Sequence, residues 1–450
     1  MSILSGRPRL TLHQLVAGRG ATPATDGFVP IRVMVVDLEV PLPSIKVGTS
    51  PAGQMYRAAE ILLRQHGRPL GIMSVNLPAG TLSATQLRAL IEQRWGDVVG
   101  QDDEPTDLFQ PPSPPPVVSV VVPTCRRPDD IARCVDSILA TGYPALEMIV
   151  VDNAPDDPAT AALVAERYHD DPRVKYLQEW VPGASRARNR GIRAATGDIV
   201  AFTDDDILVD RYWVGALVQV FAAHPGVSCV TGLVLPAVLD MPAQLWFEQY
   251  GGFNRGYVQR LYNLQDHRGD TLLYPYTGGA FGGLGNAAFR RSALAHPDAL
   301  DITLGPGTPA FGAEDQDVFL TLLRDGGTLL YEPAALVQHR HRESYADLRW
   351  QVFTYGAGYV AGLVSSAVKD RAVAIELLRY VPTVLRYLAG HRAPQQASER
   401  PDYVCRQQLR QLERAGQLYG PIAYLRAVAQ RKRRDSEASL AEAASLAAVE

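Results

Sequence analysis

Strand-like and helix-like patterns alternate through the middle of the chain. Apolar runs of strand length lie at 117–123, 146–152, 174–177 and 198–206. Helical spacing of apolar positions fills the segments between them, at 129–140, 158–168 and 183–195. The nearly unbroken apolar character of the longer runs is typical of strands buried on both faces. Strand, helix and strand in this order predict an α/β fold with a mostly parallel sheet flanked by helices.

The first hundred residues predict a separate, small αβ module. Strand patterns lie at 31–40 and 69–78, and the segment 52–67 is expected to be a helix that ends at its final glycine. Ser83 followed by Gln86 is a capping-box signature, which predicts a helix that runs to about Trp95. Because this module contains no constellation of catalytic residue types, a docking or interaction role is its default interpretation.

Changes in composition predict four segments. Residues 1–100 form the αβ module, and the acidic, proline-rich segment 101–116 predicts a semi-rigid linker. Residues 117–345 carry the alternating strand and helix pattern. Residues 346–450 have helical patterns and are expected to form a helical C-terminal extension with an alanine-rich, frayed or disordered end.

An apolar stripe within 371–390 leaves two interpretations open. Its members recur at helical spacing and are flanked by arginines; they are Ile375, Leu378, Val381, Leu385 and Leu388. Packing against the neighbouring domain is the commoner fate of such a stripe. The alternative is peripheral contact with an anionic membrane, where a lipid-linked acceptor would be found.

Composition and charge narrow the class of protein. Hydrophobic residues make up 46% and charged residues 20% of the chain, as in ordinary globular proteins. The formal net charge of −4 argues against nucleic acid as a partner. The four cysteines form no C-x-x-C pair, and no apolar stretch reaches the length of a membrane span. The expected location is cytoplasmic, with a peripheral position at the inner face of the membrane as the alternative.

Carboxylates cluster where predicted strands end. Asp152 ends one strand, and Asp204, Asp205 and Asp206 end another. In parallel sheets, ligands bind beyond the carboxyl ends of the strands. Three consecutive carboxylates repel one another unless a cation compensates them, and a divalent ion with oxygen ligands would bridge them to phosphate. A solvated acidic turn is the alternative for an isolated triplet, but the neighbouring Asp152 favours an ion site.

The segment 183–197 predicts a second contact with phosphate or nucleotide. It places Arg186 and Arg188 at a helix start, where free N–H groups and guanidinium groups attract anions. Arg190 and Arg193 are better interpreted as a solvated basic face. The chain lacks the glycine-rich motifs of dinucleotide-binding and P-loop proteins, so those two classes lose their main support.

Three later motifs are each ambiguous by themselves. The glycine-rich segment 281–291 surrounds Asn286, which predicts either close approach to a ligand or packing against a strand. Glu314 and Asp315 open a predicted helix, where acidic residues are common for dipole reasons alone. His339 and His341 follow a predicted strand, and their spacing points one of them inward.

Taken in order, these motifs resemble glycosyltransferase family 2, enzymes with the GT-A nucleotide-sugar fold. The resemblance covers about residues 117–345. It rests on the segments VSVVVPTCRRPDDIARCVDSIL, IVVDNA, GASRARNRGI, FTDDD, FGGLGNAAFRR and AEDQDVFLTLL. The Q-x-x-R-W motif of processive members is absent from its expected place, which favours one or a few sugar additions.

The resemblance implies a role for each candidate residue. The residues that would contact the nucleotide are Pro123, Thr124, Arg126, Asp152, Arg188, Asp204 and Asp205. Asp204 and Asp206 match the family's D-x-D motif and would bind Mn²⁺ or Mg²⁺. His339 is favoured over His341 to complete the metal shell.

The acceptor side is implied in the same way. Asp315 would be the general base that deprotonates the acceptor hydroxyl. Glu314 beside it would hold acceptor or sugar, and Asn286 is placed with it at the acceptor or sugar.

The implied function is that of an inverting, metal-assisted glycosyltransferase. It would move a sugar from a nucleotide-diphosphate donor to the hydroxyl of a glycan, glycolipid or small molecule, in the manner of cell-envelope polysaccharide biosynthesis. One alternative is a nucleotidyltransferase, although the basic segment after the first strand lacks the expected glycines. The other is a catalytically silent nucleotide-sugar-binding scaffold, against which the four carboxylates Asp152, Asp204, Asp206 and Asp315 argue.

Overall fold

A computed structural model of the chain describes most of its length. The described residues are 11–18, 27–39, 41–96, 109–271, 273–277, 279–296, 298–390 and 406–447. Part of the predicted linker, residues 101–108, lies outside them, as does the last part of the predicted C-terminal tail. Within the described part of the chain, no helix is long and apolar enough to cross a membrane.

The N-terminal module consists mainly of strands. Its elements are α1 (Leu12–Ala17), β1 (Ile31–Asp37), β2 (Ile45–Lys46), β3 (Ala58–Gln65), β4 (Arg68–Asn76), β5 (Thr81–Leu82) and α2 (Ala84–Trp95). The capping box that predicted α2 is confirmed, because the Ser83 hydroxyl accepts a hydrogen bond from the Gln86 N–H at 3.2 Å.

The helix predicted over 52–67 is wrong, because β3 occupies half of that segment. β3 is the central strand of a three-stranded sheet, parallel to β1 and antiparallel to β4. Its two faces are both covered, so its apolar residues do not alternate with polar ones. His66 and Gly67 have φ values of 49° and 70°, which suit a tight hairpin between β3 and β4.

The following elements form a nine-stranded sheet and the helices that flank it. They are β6 (Val118–Thr124), α3 (Pro128–Leu139), β7 (Leu146–Asp152), α4 (Ala159–Arg167), β8 (Val174–Gln178), α5 (Ala184–Ala194), β9 (Ile199–Thr203), β10 (Ile207–Val209), α6 (Trp213–Ala223), β11 (Val227–Pro236), α7 (Pro242–Tyr250), β12 (Arg260–Tyr262), β13 (Asn286–Arg290), the 3₁₀ helix Arg291–Leu294, α8 (Glu314–Arg324) and β14 (Thr328–His339). The strand order is β10-β14-β11-β13-β9-β6-β7-β8, and β12 pairs with β14.

The predicted α/β fold class is confirmed, and one half of the large sheet contains both parallel and antiparallel strands. β9, β6, β7 and β8 run parallel, and β11 runs parallel to β14. The antiparallel strand β13 joins these two parallel groups. Apolar cores fill both faces of the sheet, one under α3 and α6 and the other under α5 and α8. The carboxyl ends of β6, β7 and β9 therefore meet at one edge.

The N-terminal module packs directly against the edge of the large sheet. Leu62 of β3 and Leu336 of β14 belong to one apolar cluster. Arg64, which is 4% exposed, forms ion pairs with Asp37 in its own module and with Asp210 after β10, the latter at 2.9 Å. The contact is therefore both apolar and charge-paired.

Three helices, α9 (Tyr345–Lys369), α10 (Arg371–Gly390) and α11 (Arg406–Ala447), form the C-terminal region. α10 packs inward through Val373, with Leu377 and Tyr380 against the same cluster. The stripe predicted to pack instead faces outward where it is described: Ile375, Leu378 and Val381 are 45%, 69% and 45% exposed. The packing interpretation is therefore wrong for these three residues, because the adjacent face with Val373, Leu377 and Tyr380 is the one that meets the domain, while the side chains of Leu385 and Leu388 lie outside the described part.

α9 and α11 pack backbone to backbone through glycines. A Cβ atom added at Gly416 of α11 would lie 2.0 Å from the Phe353 carbonyl oxygen, and one added at Gly356 of α9 would lie 2.2 Å from the Glu413 carbonyl oxygen. On another side of α9, a Cβ atom at Gly358 would lie 3.2 Å from the backbone of Gly312. α9 is thus held between α11 and the loop that precedes α8.

Gly416→Ala should destabilise the protein, because the new methyl group meets backbone rather than a movable side chain. The expected loss in the free energy of unfolding is at least about 2 kcal/mol, measured by chemical denaturation. Gly226→Ala is the matched control, since a Cβ atom there would meet nothing within 4 Å. Equal stability of the two variants would contradict the close helix packing.

Candidate active site at the carboxyl edge of the sheet

The ends of four strands bring the predicted carboxylates and histidine to one edge. Thr124 at the end of β6 is in register with Asp152 at the end of β7. The acidic triplet follows β9 directly, so Asp204 to Asp206 enter the same edge. Antiparallel pairing of β10 with β14 sets His339 opposite Ile207, next to Asp206.

Asp152 is fully buried and already holds two internal hydrogen bonds. Its carboxylate accepts from the Tyr176 hydroxyl at 2.8 Å and from the Ala154 N–H at 3.0 Å. Burial and this carboxylate raise the pKa of Tyr176 to about 12, so the phenol remains a donor. Since a carboxylate has about four lone-pair sites, Asp152 keeps acceptor capacity for a ligand.

Asp205 points into the protein and forms hydrogen bonds that fix this edge of the sheet. It is 7% exposed and accepts hydrogen bonds from the Thr124 hydroxyl at 2.8 Å and from Arg127 at 3.0 Å. Burial raises the pKa of Asp205 to about 6 against the opposing effect of Arg127. Asp205 therefore positions the two aspartates beside it.

The basic loop after β6 makes contacts within the protein that the sequence did not specify. Arg127, which was not singled out from the sequence, bonds Asp205 and also Asp206, at 3.2 Å. Arg126 is 58% exposed and instead pairs with Asp156 at 2.7 Å. Pro123 is partly buried within β6. The sequence shows two adjacent arginines, Arg126 and Arg127, but it does not show which of them points toward the acidic triplet.

A buried arginine joins the two acidic motifs. Arg188, on α5, is 3% exposed and donates to Asp204 at 2.6 Å and to Glu314 at 2.8 Å. Its position between two carboxylates raises its pKa above the ordinary value despite burial. Residues far apart in the chain thus share one guanidinium group, and removing it would leave two carboxylates without their counter-ion.

Glu314 and Asp315 begin α8 directly after Ala313, whose φ is 72°. Burial is the main cause that raises the pKa of both carboxyl groups, and their mutual repulsion adds to the effect for Glu314. The Asp315 carboxylate accepts from the Gln316 N–H at 2.7 Å and lies 3.2 Å from the place where a side chain at Gly283 would begin.

The glycine-rich segment lies against these carboxylates, whereas its asparagine does not. A Cβ atom at Gly285 would be 3.0 Å from an Asp204 oxygen. Asn286 is 1% exposed; its amide donates to the carbonyl oxygens of Leu233 and Ala335 at 3.0 and 2.8 Å and accepts from the Trp213 indole at 2.8 Å. These contacts favour the packing alternative for Asn286, and the glycines before it are the residues that approach the candidate site.

His339 and His341 form a chain of hydrogen bonds with Glu248 of α7. His341 Nε2 lies 2.7 Å from the Glu248 carboxylate, and its Nδ1 lies 2.9 Å from Nδ1 of His339. Because a carboxylate only accepts, His341 donates to Glu248 and accepts from His339. Nε2 of His339 then carries a lone pair, and it lies 3.4 Å from an Asp206 oxygen.

Two electron-pair donors that face each other fit a bound cation. Burial lowers the pKa of His339 to about 4, so its imidazole is neutral near pH 7. Oxygen and imidazole nitrogen are ligand types that suit manganese and related divalent ions. Among the described residues, no group of three or more histidine, cysteine or acidic side chains is arranged to hold a metal, so Asp206 and His339 would form part of a shell completed by other ligands.

Comparison with known proteins gives a family likeness for the part of the chain that carries most of this site. Residues 119–296 match the family model described as glycosyl transferase family 2. This match lies within the part of the chain that forms the nine-stranded sheet, so that part is similar to family 2 glycosyltransferases. Transfer of a glycosyl group is the reaction class that this similarity supports.

Two relatives extend the likeness beyond that segment. The glucosyl-dolichyl phosphate glucuronosyltransferase of Haloferax volcanii is 25% identical over 252 residues, which cover 54% of this chain and 75% of that protein. The pre-mycofactocin glycosyltransferase of Mycobacterium tuberculosis is 28% identical over 241 residues, 53% of this chain. The chain spans only 46% of the length of the mycobacterial relative.

A solved structure gives a weaker likeness. The mannosyltransferase PcManGT from Pyrobaculum calidifontis, in complex with GDP-Man and Mn²⁺, aligns with a TM-score of 0.41 and 20% sequence identity. The alignment covers 74% of this chain and 80% of that one. At this level of likeness, the bound GDP-Man and Mn²⁺ are a property of PcManGT and are not transferred to the present chain.

Glu314→Gln should change how stability depends on pH in metal-free protein. A carboxyl group whose pKa is raised by folding stabilises the native state below its unfolded pKa, and this contribution is lost as pH rises through the folded pKa. Between pH 4.5 and 7.5, the unfolding free energy of wild type should therefore fall by more than about 1 kcal/mol relative to that of the variant, which lacks this group. Denaturant titrations in EDTA measure it, with Glu166→Gln at an exposed carboxylate as the control. A pH-independent difference would contradict the raised pKa.

Proposed function

We propose that the protein is an inverting, metal-assisted glycosyltransferase that uses a nucleoside-diphosphate sugar and a hydroxyl acceptor. The observation that carries the proposal is the bridge formed by Arg188 between Asp204 and Glu314. It unites the acidic motif at the end of β9 with the acidic start of α8. The proposed donor-binding motif, which lies within the family 2 match, and the proposed base, which lies beyond it, therefore belong to one cluster.

The donor would lie at the edge formed by β6, β7 and β9. Asp152, with its remaining acceptor capacity, receives a hydrogen bond from the base. Thr124 and Asp205 keep this edge rigid through their mutual hydrogen bond. Pro123 and Arg126 border the nucleoside, and Arg126 needs to release Asp156 to do so.

The metal proposal rests on Asp206 and His339. The Nε2 atom of His339 and a carboxylate oxygen of Asp206 face each other, and each offers a lone pair. These two residues would hold Mn²⁺ or Mg²⁺, with Asp204 as a third candidate and diphosphate oxygens completing the shell. When bound, the ion supplies charge stabilisation to the departing diphosphate. Arg127 already offsets part of the negative charge of Asp206 and so limits repulsion of the donor.

Asp315 is proposed as the general base toward the acceptor hydroxyl. Burial raises its pKa, which makes its carboxylate a better proton acceptor than an exposed aspartate. Glu314 is held by Arg188 and fixes the start of α8, so the Asp315 carboxylate has a defined position. Gly283 lies against that carboxylate without a side chain, which leaves room for the acceptor. Attack opposite the leaving diphosphate inverts the anomeric centre.

We also propose the division into four segments drawn from composition. The module within 1–100 and the domain within 117–345 have separate apolar clusters, which supports treating them as units. The remaining segments are the linker 101–116 and the C-terminal region 346–450. Peripheral membrane contact through 371–390 is part of this proposal, and the outward position of Leu378 supports it.

The first test measures release of nucleoside diphosphate from a panel of nucleotide sugars with Mn²⁺. Asp206→Ala and Asp315→Asn should each reduce turnover at least about 100-fold, because one removes a proposed metal ligand and the other the proposed base. Asp170→Asn, at a 90% exposed side chain, is the matched control and should retain full activity. Turnover that survives in both site variants would contradict the proposal. Absence of both turnover and metal-dependent nucleotide binding would favour a silent scaffold.

A second test addresses the histidine chain through metal binding rather than activity. His341→Phe keeps a ring against Phe247, which His341 contacts edge-on, but removes the acceptor for His339. The affinity for Mn²⁺ with nucleoside diphosphate should fall about 10-fold or more, since partners of metal ligands typically contribute that much. Electron paramagnetic resonance of free Mn²⁺ measures it, and His169→Phe, at an exposed histidine, is the control. Unchanged affinity would contradict a role of His339 as a ligand.

A further inference from the structure

The outward face of α11 carries an unusual row of aliphatic side chains. Leu418, Ile422 and Leu425 are 82%, 48% and 66% exposed. Their spacing of four and three residues places them on one face of the helix. We call these three residues the α11 ridge.

The ridge is not the face by which α11 packs. The inward face consists of small residues and glycines that meet α9, among them Gly416, Gly420, Ala423 and Ala427. A helix on a protein surface usually directs polar residues outward. Contiguous exposed apolar side chains mark surfaces that bind another apolar body.

The segment that carries the ridge is rich in basic residues. Between residues 410 and 434 there are seven cationic side chains, Arg410, Arg414, Arg426, Arg431, Lys432, Arg433 and Arg434. The same segment contains one carboxylate, Glu413, which accepts a hydrogen bond from the Tyr250 hydroxyl at 2.6 Å. This segment is therefore strongly cationic in a chain whose net charge is −4.

The basic end of α11 contacts the segment that leads into α5. Arg434 donates to the Pro182 carbonyl oxygen at 3.4 Å, directly before the α5 helix that carries Arg188. α9, on which α11 packs, also contacts Gly312 and Ala313, which precede Glu314. The helix that carries the ridge is thus connected, through its basic end and through α9, to the segments that precede α5 and α8.

We propose that the α11 ridge and its basic neighbours bind the surface of an anionic lipid membrane. Aliphatic side chains enter the boundary between headgroups and acyl chains, and the flanking cations attract anionic headgroups. A second copy of the chain fits less well, because the ridge spans about 10 Å of helix. A stable protein interface needs about 800 Å² from each partner.

This surface also indicates the class of acceptor, an inference that rests on the proposed function. A site held at a membrane surface meets hydroxyl groups of sugars attached to lipid carriers. The acceptor class is therefore a lipid-linked saccharide. Binding at the ridge stands independently of that conclusion and can be measured without it.

The test is co-flotation of the full chain with vesicles of phosphatidylcholine, with and without 30% phosphatidylglycerol (about one third anionic lipid, as a probe). Wild type should float with the anionic vesicles, and raised salt should weaken this binding. Leu418→Gln with Leu425→Gln should reduce the bound fraction at least about tenfold. Met55→Gln with Val258→Gln is the matched control, since these side chains are 53% and 67% exposed elsewhere on the surface.

Four outcomes would overturn the proposal. They are no flotation of wild type, equal flotation with uncharged vesicles, full binding by the ridge variant, and a wild-type dimer that the ridge variant converts to a monomer. Release of nucleoside diphosphate from a water-soluble donor should be unchanged in the ridge variant. Failure of flotation with intact donor turnover would therefore reject the membrane surface while leaving the proposed reaction in place.

Discussion

The buried guanidinium group of Arg188 is the interaction on which the site depends. Desolvation of a charge is costly, and the two carboxylates that receive its hydrogen bonds offset that cost. The arginine reaches this depth because α5 lies unusually close to the sheet: a Cβ atom at Gly191 would stand 2.3 Å from the side chain of Val121. Asn189 on the same helix exchanges two hydrogen bonds with the backbone of Leu300, which secures the loop leading to α8. Helix α5 thus connects the strand edge to the acidic helix start.

Much of the framework could be predicted from the sequence because it depends on local pattern. The runs at 117–123 and 146–152 are largely apolar, as expected for strands buried on both faces, and each corresponds to a strand. The same rule explains the error over 52–67. A fully covered strand and a buried helix are both apolar throughout, so periodicity cannot separate them. Gln65 and Arg68 flank a two-residue turn. Its glycine, Gly67, has a positive φ and was a better indication of a hairpin than the apolar pattern was of a helix.

The partners within the candidate site were less predictable, because they are set by distance in space. Glu314 and Arg188 are 126 residues apart, and nothing local in either motif specifies their ion pair. Likewise, the chain from His339 through His341 to Glu248 needs α7 to lie beside the end of β14. Asn286 shows the converse case, since its glycine neighbours suggested a ligand while its amide completes the hydrogen bonding of three surrounding elements.

The glycine contacts of α9 have a consequence for how this protein can change during evolution. On one side, α9 meets α11 at Gly356 and Gly416; on the other, Gly358 rests on the backbone of Gly312. Where side chains separate two helices, a substitution on one can be accommodated by a different rotamer on the other. Contacts made of backbone offer no such adjustment. The C-terminal helices and the loop before α8 must therefore vary in concert, although the family match covers neither of them.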